Sequence, residues 1–169
     1  NYILAVEYYE KSKDIYEKTL PENHPDLAMS YNNLGIAYRQ KGDIDKAIEY
    51  YDKALEILPE NHPDLASTYN NLGVAYDNKG DIDKAIEYYD KALKIYKEVL
   101  PENYPDLAMS YNNLGNAYVN KGDYDTAIEY LNKALKIRKE VLPENHPKLA
   151  LTYNNLGIAY RQKGDIDKA

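Results

Sequence analysis

The sequence Tyr-Asn-Asn-Leu-Gly occurs four times in this chain, starting at Tyr31, Tyr69, Tyr111 and Tyr153. The steps between successive copies are 38, 42 and 42 residues. A fixed period in this range is typical of a solenoid, in which each unit buries its apolar face only against its neighbours. Such a stack presents a long surface rather than one catalytic pocket, so the repeat predicts a binding protein.

Each repeat carries the signals for two helices joined by a tight turn. Pro25 is favoured at the first position of a helix, because its missing N–H would be unpaired there anyway. Gly42 suits the left-handed residue that ends a helix, Asp43 can cap the next helix, and Pro59 stops that second helix. Apolar residues recur at helical spacing on both sides of the turn. We therefore predict an all-α protein, an α-solenoid of antiparallel helix pairs, and call the two helices of a pair helix A and helix B.

The same pattern divides the whole chain into one repeat array. Residues 1–20 match helix B of a truncated repeat, and residues 143–169 match helix A of another. Between them we expect three complete repeats, at residues 21–58, 59–100 and 101–142.

A glycine recurs in the middle of every helix A, at Gly35, Gly73, Gly115 and Gly157. Glycine inside a helix costs about 1 kcal/mol relative to alanine. Its recurrence predicts that helix B approaches closely at this point. The alternative is that duplication of the repeat copied a neutral glycine.

The repeat resembles the tetratricopeptide repeat. The residues that carry the resemblance in the first complete repeat are Tyr31, Leu34, Gly35, Tyr38, Ala47, Tyr51, Ala54 and Pro59. Tyrosine replaces the family's tryptophan at the first position, and the period exceeds the usual length of about 34 residues. Long units with Asn-Asn before leucine resemble those of kinesin light chains and related bacterial arrays. The resemblance implies a right-handed superhelix that acts as a protein-binding scaffold.

The resemblance also implies where a ligand binds, since helices A line the concave face of such arrays. The family's ligand-contacting positions fall on the first asparagine of each pair and on residues one and two turns further along helix A. These positions are Asn32, Ile36, Arg39, Asn70, Val74, Asp77, Asn112, Asn116, Val119, Asn154, Ile158 and Arg161. One turn before the asparagines lie Met29, Ser67, Met109 and Leu151.

A row of side-chain amides offers both donors and acceptors, so it can bond a peptide backbone whatever the side chains of the peptide. The lysine of the family's carboxylate clamp is absent, which argues against recognition of an acidic C-terminus. An alternative exists for the second asparagine of each pair, which could bridge adjacent repeats by hydrogen bonds. Ile36 and its counterparts could likewise belong to the core between repeats instead of the groove.

Composition excludes several other classes of function. The 28 acidic and 21 basic residues give a net charge of −7, whereas a nucleic-acid-binding protein needs a basic stripe. There is no cysteine, which excludes thiol chemistry, and no apolar run approaches the roughly 18 residues of a membrane span. The three histidines, His24, His62 and His146, occur singly in separate repeats, and Tyr104 stands at the matching place in the repeat at residues 101–142. A metal site needs converging ligands, and no nucleophile elbow or phosphate loop is present. We therefore expect no enzyme, no cofactor and no metal, and a cytoplasmic location, although the compartment is not fixed by the sequence.

Two functions remain open. The first is a protein–protein interaction scaffold that binds an extended or short helical peptide in the concave groove. The second is a self-assembling array, because the lone helix B at residues 1–20 and the lone helix A at residues 143–169 are the two halves of one repeat. Their exposed faces should be complementary and allow head-to-tail association.

Overall fold

The computed structural model describes residues 2–59, 62–101 and 104–166, and within these ranges the chain forms eight helices and no strands. The helices are α1 (Tyr2–Thr19), α2 (Pro25–Lys41), α3 (Ile44–Ile57), α4 (Pro63–Lys79), α5 (Ile82–Val99), α6 (Pro105–Lys121), α7 (Tyr124–Val141) and α8 (Pro147–Ile166). Even-numbered helices are helices A and odd-numbered helices are helices B, so the predicted all-α class is confirmed. Two compact units are present, Asn1–Asp81 (unit 1) and Ile82–Ala169 (unit 2).

Helix α2 begins and ends where local chemistry predicts. It starts at Pro25, and Gly42 follows its last residue in the left-handed conformation, with φ of 94°. The N–H of Gly42 donates to the Arg39 carbonyl (3.0 Å), and the N–H of Asp43 donates to the Tyr38 carbonyl (2.9 Å). These bonds satisfy carbonyl groups that the end of the helix would otherwise leave unpaired. The turn thereby reverses the chain and sets α3 against α2.

Histidine caps the start of three helices A, which the sequence did not suggest. The Nδ1 atoms of His24 and His62 each accept a hydrogen bond at 3.2 Å from the backbone N–H two residues later, and Nδ1 of His146 does so at 3.1 Å. Tyr104 occupies this position before α6 and makes no side-chain cap. From the sequence, these histidines were weighed only for a metal or acid–base role, because histidine is not among the usual capping residues.

Helix α8 differs from the expectation at its C-terminal end. The glycine that ends helix A in the first repeat, Gly42, and its counterpart Gly122 follow α2 and α6 directly, but α8 continues through the equivalent Gly164 to Ile166. Each added residue of a helix gains a backbone hydrogen bond. Gly164 therefore stays within the helix, whereas Gly42 and Gly122 adopt a positive φ.

Both units bury an apolar core between their helices A and B. In unit 1, Leu34 of α2 and Tyr51 of α3 are fully buried, and in unit 2 Leu114 of α6 and Leu131 of α7 are fully buried. A Cβ atom added to Gly35 would lie 2.6 Å from Cδ1 of Tyr51. The predicted close approach of helix B is therefore confirmed at this glycine.

The other helical glycines give a matched comparison. A Cβ atom added to Gly115 would lie 2.6 Å from Cγ of Leu131. A Cβ atom added to Gly157 would meet nothing within 4 Å. Close packing explains the glycine at Gly115, whereas no described helix B covers Gly157.

Stacked tyrosines cover the junction between helices in each unit. In unit 1 the ring of Tyr50 stacks on Tyr38, with centroids 5.4 Å apart, and lies 6.1 Å from Tyr31. We call these three residues a tyrosine trio; the corresponding trio in unit 2 consists of Tyr111, Tyr118 and Tyr130. The hydroxyls of Tyr31 and Tyr38 donate to carboxylates of α1, so the rings are packed while their polar ends remain paired.

Candidate functional site

The asparagine pairs connect neighbouring helices A. In unit 1, Nδ2 of Asn71 on α4 donates to Oδ1 of Asn32 on α2 at 3.1 Å. In unit 2, Nδ2 of Asn155 on α8 donates to Oδ1 of Asn112 on α6 at 3.3 Å. The prediction that second asparagines bridge adjacent repeats is confirmed at these two residues. Their acceptors, however, are the first asparagines, which the family resemblance assigns to ligand contact.

Arg138 of α7 lies at the centre of this network in unit 2, and sequence analysis missed it. The side chain is only 5% exposed. Its Nη1 donates to Oδ1 of Asn112 (3.2 Å), to the Lys148 carbonyl (3.0 Å) and to the Thr152 hydroxyl. Burial lowers the pKa of the guanidinium, and no carboxylate of the described residues forms an ion pair with it.

A buried cation without an anionic partner is unusual, because charges are costly to remove from water unless they are paired. The equivalent positions in the other complete repeats hold Leu58 and Tyr96. A charged residue at a position that is otherwise leucine or tyrosine was the feature of the sequence that could have pointed to Arg138. Arg138 also borders a cavity of about 60 Å³, together with Met109 and Lys148.

The predicted site residues differ widely in exposure. Asn70 and Asn112 are buried, with 6% and 4% exposure. Asn154 and Arg161 are exposed, and the other members are half-buried: Asn32, Ile36, Arg39, Val74, Asp77, Asn116, Val119 and Ile158.

Several half-buried members also contribute to packing. Val119 lies against the buried cluster of Leu131, Leu156 and Ala159. Nε of Arg39 is buried and has no hydrogen-bond partner within the described residues. Its positive charge acts on nearby Tyr51, but burial dominates and raises the pKa of that phenol.

Apolar side chains are exposed one turn before the first asparagines. Met29 on α2 is 49% exposed, Met109 on α6 is 37% exposed and Leu151 on α8 is 50% exposed. Ser67 at the same position on α4 donates its hydroxyl to the Asp64 carbonyl at 2.9 Å. Large exposed apolar groups often mark interaction surfaces, and methionine adapts to partners of varied shape.

The described part of the chain lacks two other kinds of site. No group of three or more histidine, cysteine, aspartate or glutamate side chains in residues 2–59, 62–101 and 104–166 could hold a metal ion. Across those same ranges, no helix combines the length and apolar character that spanning a lipid bilayer requires.

Comparison with known proteins gives consistent matches. A family model described as Tetratricopeptide repeat matches residues 1–60 and 106–169, and a second of the same description matches residues 66–98. None of the curated proteins compared matches the chain.

Solved structures of similar repeat arrays cover most of the chain. A candidate kinesin light chain of Podosopora anserina with nearly identical TPR-like repeats superposes with a TM-score of 0.82 and 27% identity, over 99% of this chain and 81% of that one. BtubC (BKLC) from P. vanneervenii gives a TM-score of 0.83 and 30% identity, over 95% of this chain and 68% of that one. The N-terminal domain of stress-induced protein-1 from C. elegans is similar in fold, with a TM-score of 0.60 and 24% identity over 79% of this chain and 96% of that one. These matches confirm the predicted α-solenoid of helix pairs and support an array of kinesin light chain type.

Proposed function

This chain belongs to the tetratricopeptide repeat family, and we propose that the scaffold it provides for protein–protein interaction binds an extended or short helical peptide along its helices A. The observation that carries this proposal is a face of helices α6 and α8 in unit 2. Met109 and Asn116, seven residues apart on α6, share a face with the equivalent Leu151 and Ile158 on α8. All four side chains are at least partly exposed, so apolar and amide groups are available side by side.

The amides differ in what they can still bind. Oδ1 of Asn112 already accepts hydrogen bonds from Arg138 and Asn155. The side chains of Asn116 and Asn154 make no hydrogen bond within the described residues. We therefore assign the bonds to a peptide backbone first to Asn116 and Asn154, and a positioning part to Asn112.

Arg138 adds a charge preference to this face. Its guanidinium is held beside Met109 by the bonds to Asn112 and Thr152, and a cavity opens next to it. A ligand carboxylate at this cavity would supply the anionic partner that the buried cation lacks. The division into repeats at residues 21–58, 59–100 and 101–142, and a cytoplasmic location, remain part of the same proposal.

Titration of the soluble chain against a peptide library tests this function. We expect at least one peptide to bind saturably. Replacing Asn116 and Asn154 together by alanine should weaken that binding by roughly thirtyfold, since each of the two lost hydrogen bonds is worth about 1 kcal/mol. Melting should change little, because Asn154 is exposed and the side chain of the half-buried Asn116 makes no hydrogen bond within the described residues, and substitutions of this kind shift stability by less than about 0.5 kcal/mol. Asn132→Ala, on the exposed side of α7, is the matched control, and an equal loss there or no saturable peptide would refute the proposal.

Head-to-tail self-assembly is a second candidate, favoured by two exposed apolar faces. Helix α1 exposes Ile3 (66%), Tyr8 (66%) and Ile15 (61%). Helix α8 exposes Tyr153 (50%) and Tyr160 (57%). Exposed apolar side chains favour association with a complementary surface.

The packing inside the chain shows how the two faces could meet. Tyr51 and Leu131 of helices B lie against Gly35 and Gly115 of helices A. The equivalent residue on α1 is Tyr9, which is 38% exposed, and the equivalent glycine on α8 is Gly157, where an added Cβ atom would meet no described residue within 4 Å. We propose that Tyr9 of one copy would pack on Gly157 of the next. Such a contact joins two different surfaces, so it continues into an open chain of copies unless it closes a ring.

Light scattering over about a hundredfold range of protein concentration tests self-assembly. The average mass should rise with concentration, whereas Gly157→Leu should remain monomeric because the added side chain fills the place of Tyr9. A monomeric wild type, or a leucine variant that associates equally well, would remove this candidate. The peptide titration is done at the dilute end of the range, so the two functions are tested separately.

A further inference from the structure

A cavity of about 400 Å³ in unit 2 is lined by three lysines and lies apart from the predicted site residues. Lys97 comes from the end of α5, and Lys133 and Lys136 come from α7. The apolar floor includes Leu107 and Ile137, which are 3% and 7% exposed. None of the twelve predicted ligand-contacting residues lines this cavity, which we call the lysine pocket.

Two of the ammonium groups converge on one aromatic ring. Nζ of Lys97 and Nζ of Lys133 each lie 5.9 Å from the ring centroid of Tyr111. A tyrosine ring attracts a cation weakly, but two ammonium groups at one ring repel each other. Lys133 has an exposed ion pair with Glu129 at 2.5 Å, and exposed pairs of this kind contribute only about 0–1 kcal/mol.

The remaining donors of the pocket are available. Within the described residues, Lys97 and Lys136 form no ion pair within 4.0 Å, although the charge of Lys97 acts on the carboxylate of Asp90, and the hydroxyl of Tyr111 makes no hydrogen bond. The pocket therefore offers ammonium groups and a phenol O–H, all of them donors to an anion. This is a local concentration of positive charge in a chain whose net charge is −7.

Unit 1 contains the same cavity with the opposite charge. Its volume is about 430 Å³, and each of its main lining residues stands 80 residues before its counterpart in unit 2. Four lining residues of unit 1 are identical to their counterparts in the lysine pocket: Leu27, Tyr31, Lys53 and Ile57. At two other positions the charge of the side chain is reversed. These exchanges are Glu17 for Lys97 and Glu56 for Lys136.

The exchange also changes what the tyrosine does. In unit 1 the hydroxyl of Tyr31 donates to Glu17 at 2.9 Å, whereas Tyr111 faces Lys97 and has no such acceptor. Glu22 adds a third carboxylate to the unit 1 cavity; its sequence counterpart Glu102 lies outside the described residues. Because equivalent helices form both cavities, α1 to α3 in unit 1 and α5 to α7 in unit 2, packing does not require lysine at these positions.

We propose that the lysine pocket binds an acidic segment of a protein partner. A carboxylate of that segment would accept hydrogen bonds from Lys97, Lys136 and the hydroxyl of Tyr111, which also relieves the repulsion between the ammonium groups. A neighbouring apolar side chain would cover Leu107 and Ile137. The site does not depend on the groove of helices A, so it stands or falls separately from the peptide function proposed above.

The test uses the whole chain and a fluorescent peptide, Glu-Glu-Leu-Glu-Glu, followed by anisotropy at low salt. We expect saturable binding with one site per chain. The double variant Lys97→Glu/Lys136→Glu reproduces the charges of unit 1 and should weaken binding by at least about tenfold. Its helical content should be unchanged, because unit 1 carries glutamate at both equivalent positions.

A charge-matched control separates the pocket from general electrostatics. Lys11→Glu/Lys41→Glu changes the net charge equally at exposed positions of unit 1, and we expect less than about a threefold effect. The reciprocal variant Glu17→Lys/Glu56→Lys should create a second site and double the peptide bound at saturation.

Three results would overturn the proposal. The first is no saturable binding of the peptide to the wild type. The second is an equal loss of binding in Lys97→Glu/Lys136→Glu and in the control. The third is saturable binding of inorganic phosphate, at matched ionic strength, without binding of the peptide.

Discussion

Two glycines at equivalent positions of unit 2 should respond to alanine with opposite signs. Alanine favours a helix over glycine by about 1 kcal/mol. At Gly157 of α8 an added Cβ atom meets nothing within 4 Å. Gly157→Ala therefore gains the helix preference without a packing cost, and we expect a stabilisation of about 0.5–1 kcal/mol.

At Gly115 of α6 the same methyl group enters a filled space. It would lie 2.6 Å from Cγ and 2.8 Å from Cδ2 of Leu131, and 3.2 Å from the carbonyl oxygen of Ala127. Both of these neighbours are fully buried, so neither can move without shifting α7. Overpacking of this kind costs about 1–3 kcal/mol. After the helix preference is subtracted, we expect Gly115→Ala to destabilise the chain by about 1 kcal/mol.

Urea unfolding followed by circular dichroism at low protein concentration measures both variants. The difference between them should be about 2 kcal/mol, which corresponds to roughly 1 M urea for a typical dependence on denaturant. A shift of the same sign and size in both variants would show that packing against α7 does not select glycine. The recurrence of glycine would then reflect duplication of the repeat.

Two further predictions concern buried polar groups. Asn112→Asp places a carboxylate beside the buried Arg138, so we expect unchanged stability or a gain of about 1 kcal/mol. In unit 1, Leu58 stands in place of the arginine, so Asn32→Asp should instead lower the free energy of unfolding by about 1 kcal/mol. A shift of the urea midpoint in the same direction for both variants would contradict this reasoning. Burial raises the pKa of Tyr31 to about 12 from an ordinary value of 10.0. The folded state therefore favours the neutral phenol. The resulting stabilisation is fully present below about pH 10 and is lost as the pH rises to about 12. Tyr31→Phe should therefore lose less stability than the wild type over that alkaline range, and equal slopes of the urea midpoint against pH would count against the assignment.

Local sequence chemistry predicts the helix boundaries well in this chain. Pro25 and Gly42 act within one turn of their own position, so their effect can be inferred without knowing the fold. The histidine caps are equally local but were missed, because His24 accepts a hydrogen bond that residue statistics assign to other side chains. Gly164 shows the limit of the approach, because this glycine does not end its helix.

The site was harder to predict because its residues meet only through packing. Arg138 and Asn112 belong to different helices, and their hydrogen bond depends on how α7 lies against α6 and α8. An amide that bridges two repeats has the same chemistry as an amide that binds a peptide. The sequence alone therefore could not show that Asn112 already forms hydrogen bonds within the protein, whereas the side chain of Asn116 forms none within the described residues.

The tyrosine trios give the chain an optical signal of its own. The chain has no tryptophan, so no indole receives the excitation of its tyrosines or masks their emission. Ring stacking at 5.4 Å in unit 1 and 5.6 Å in unit 2 fixes the relative orientation of the phenols. Near-ultraviolet circular dichroism, which is lost when side-chain packing is lost, should therefore follow the packing of these rings directly. Replacing Tyr50 or Tyr130 with leucine would remove the circular dichroism signal of one trio at a time. The unfolding of each unit could then be followed without an attached label.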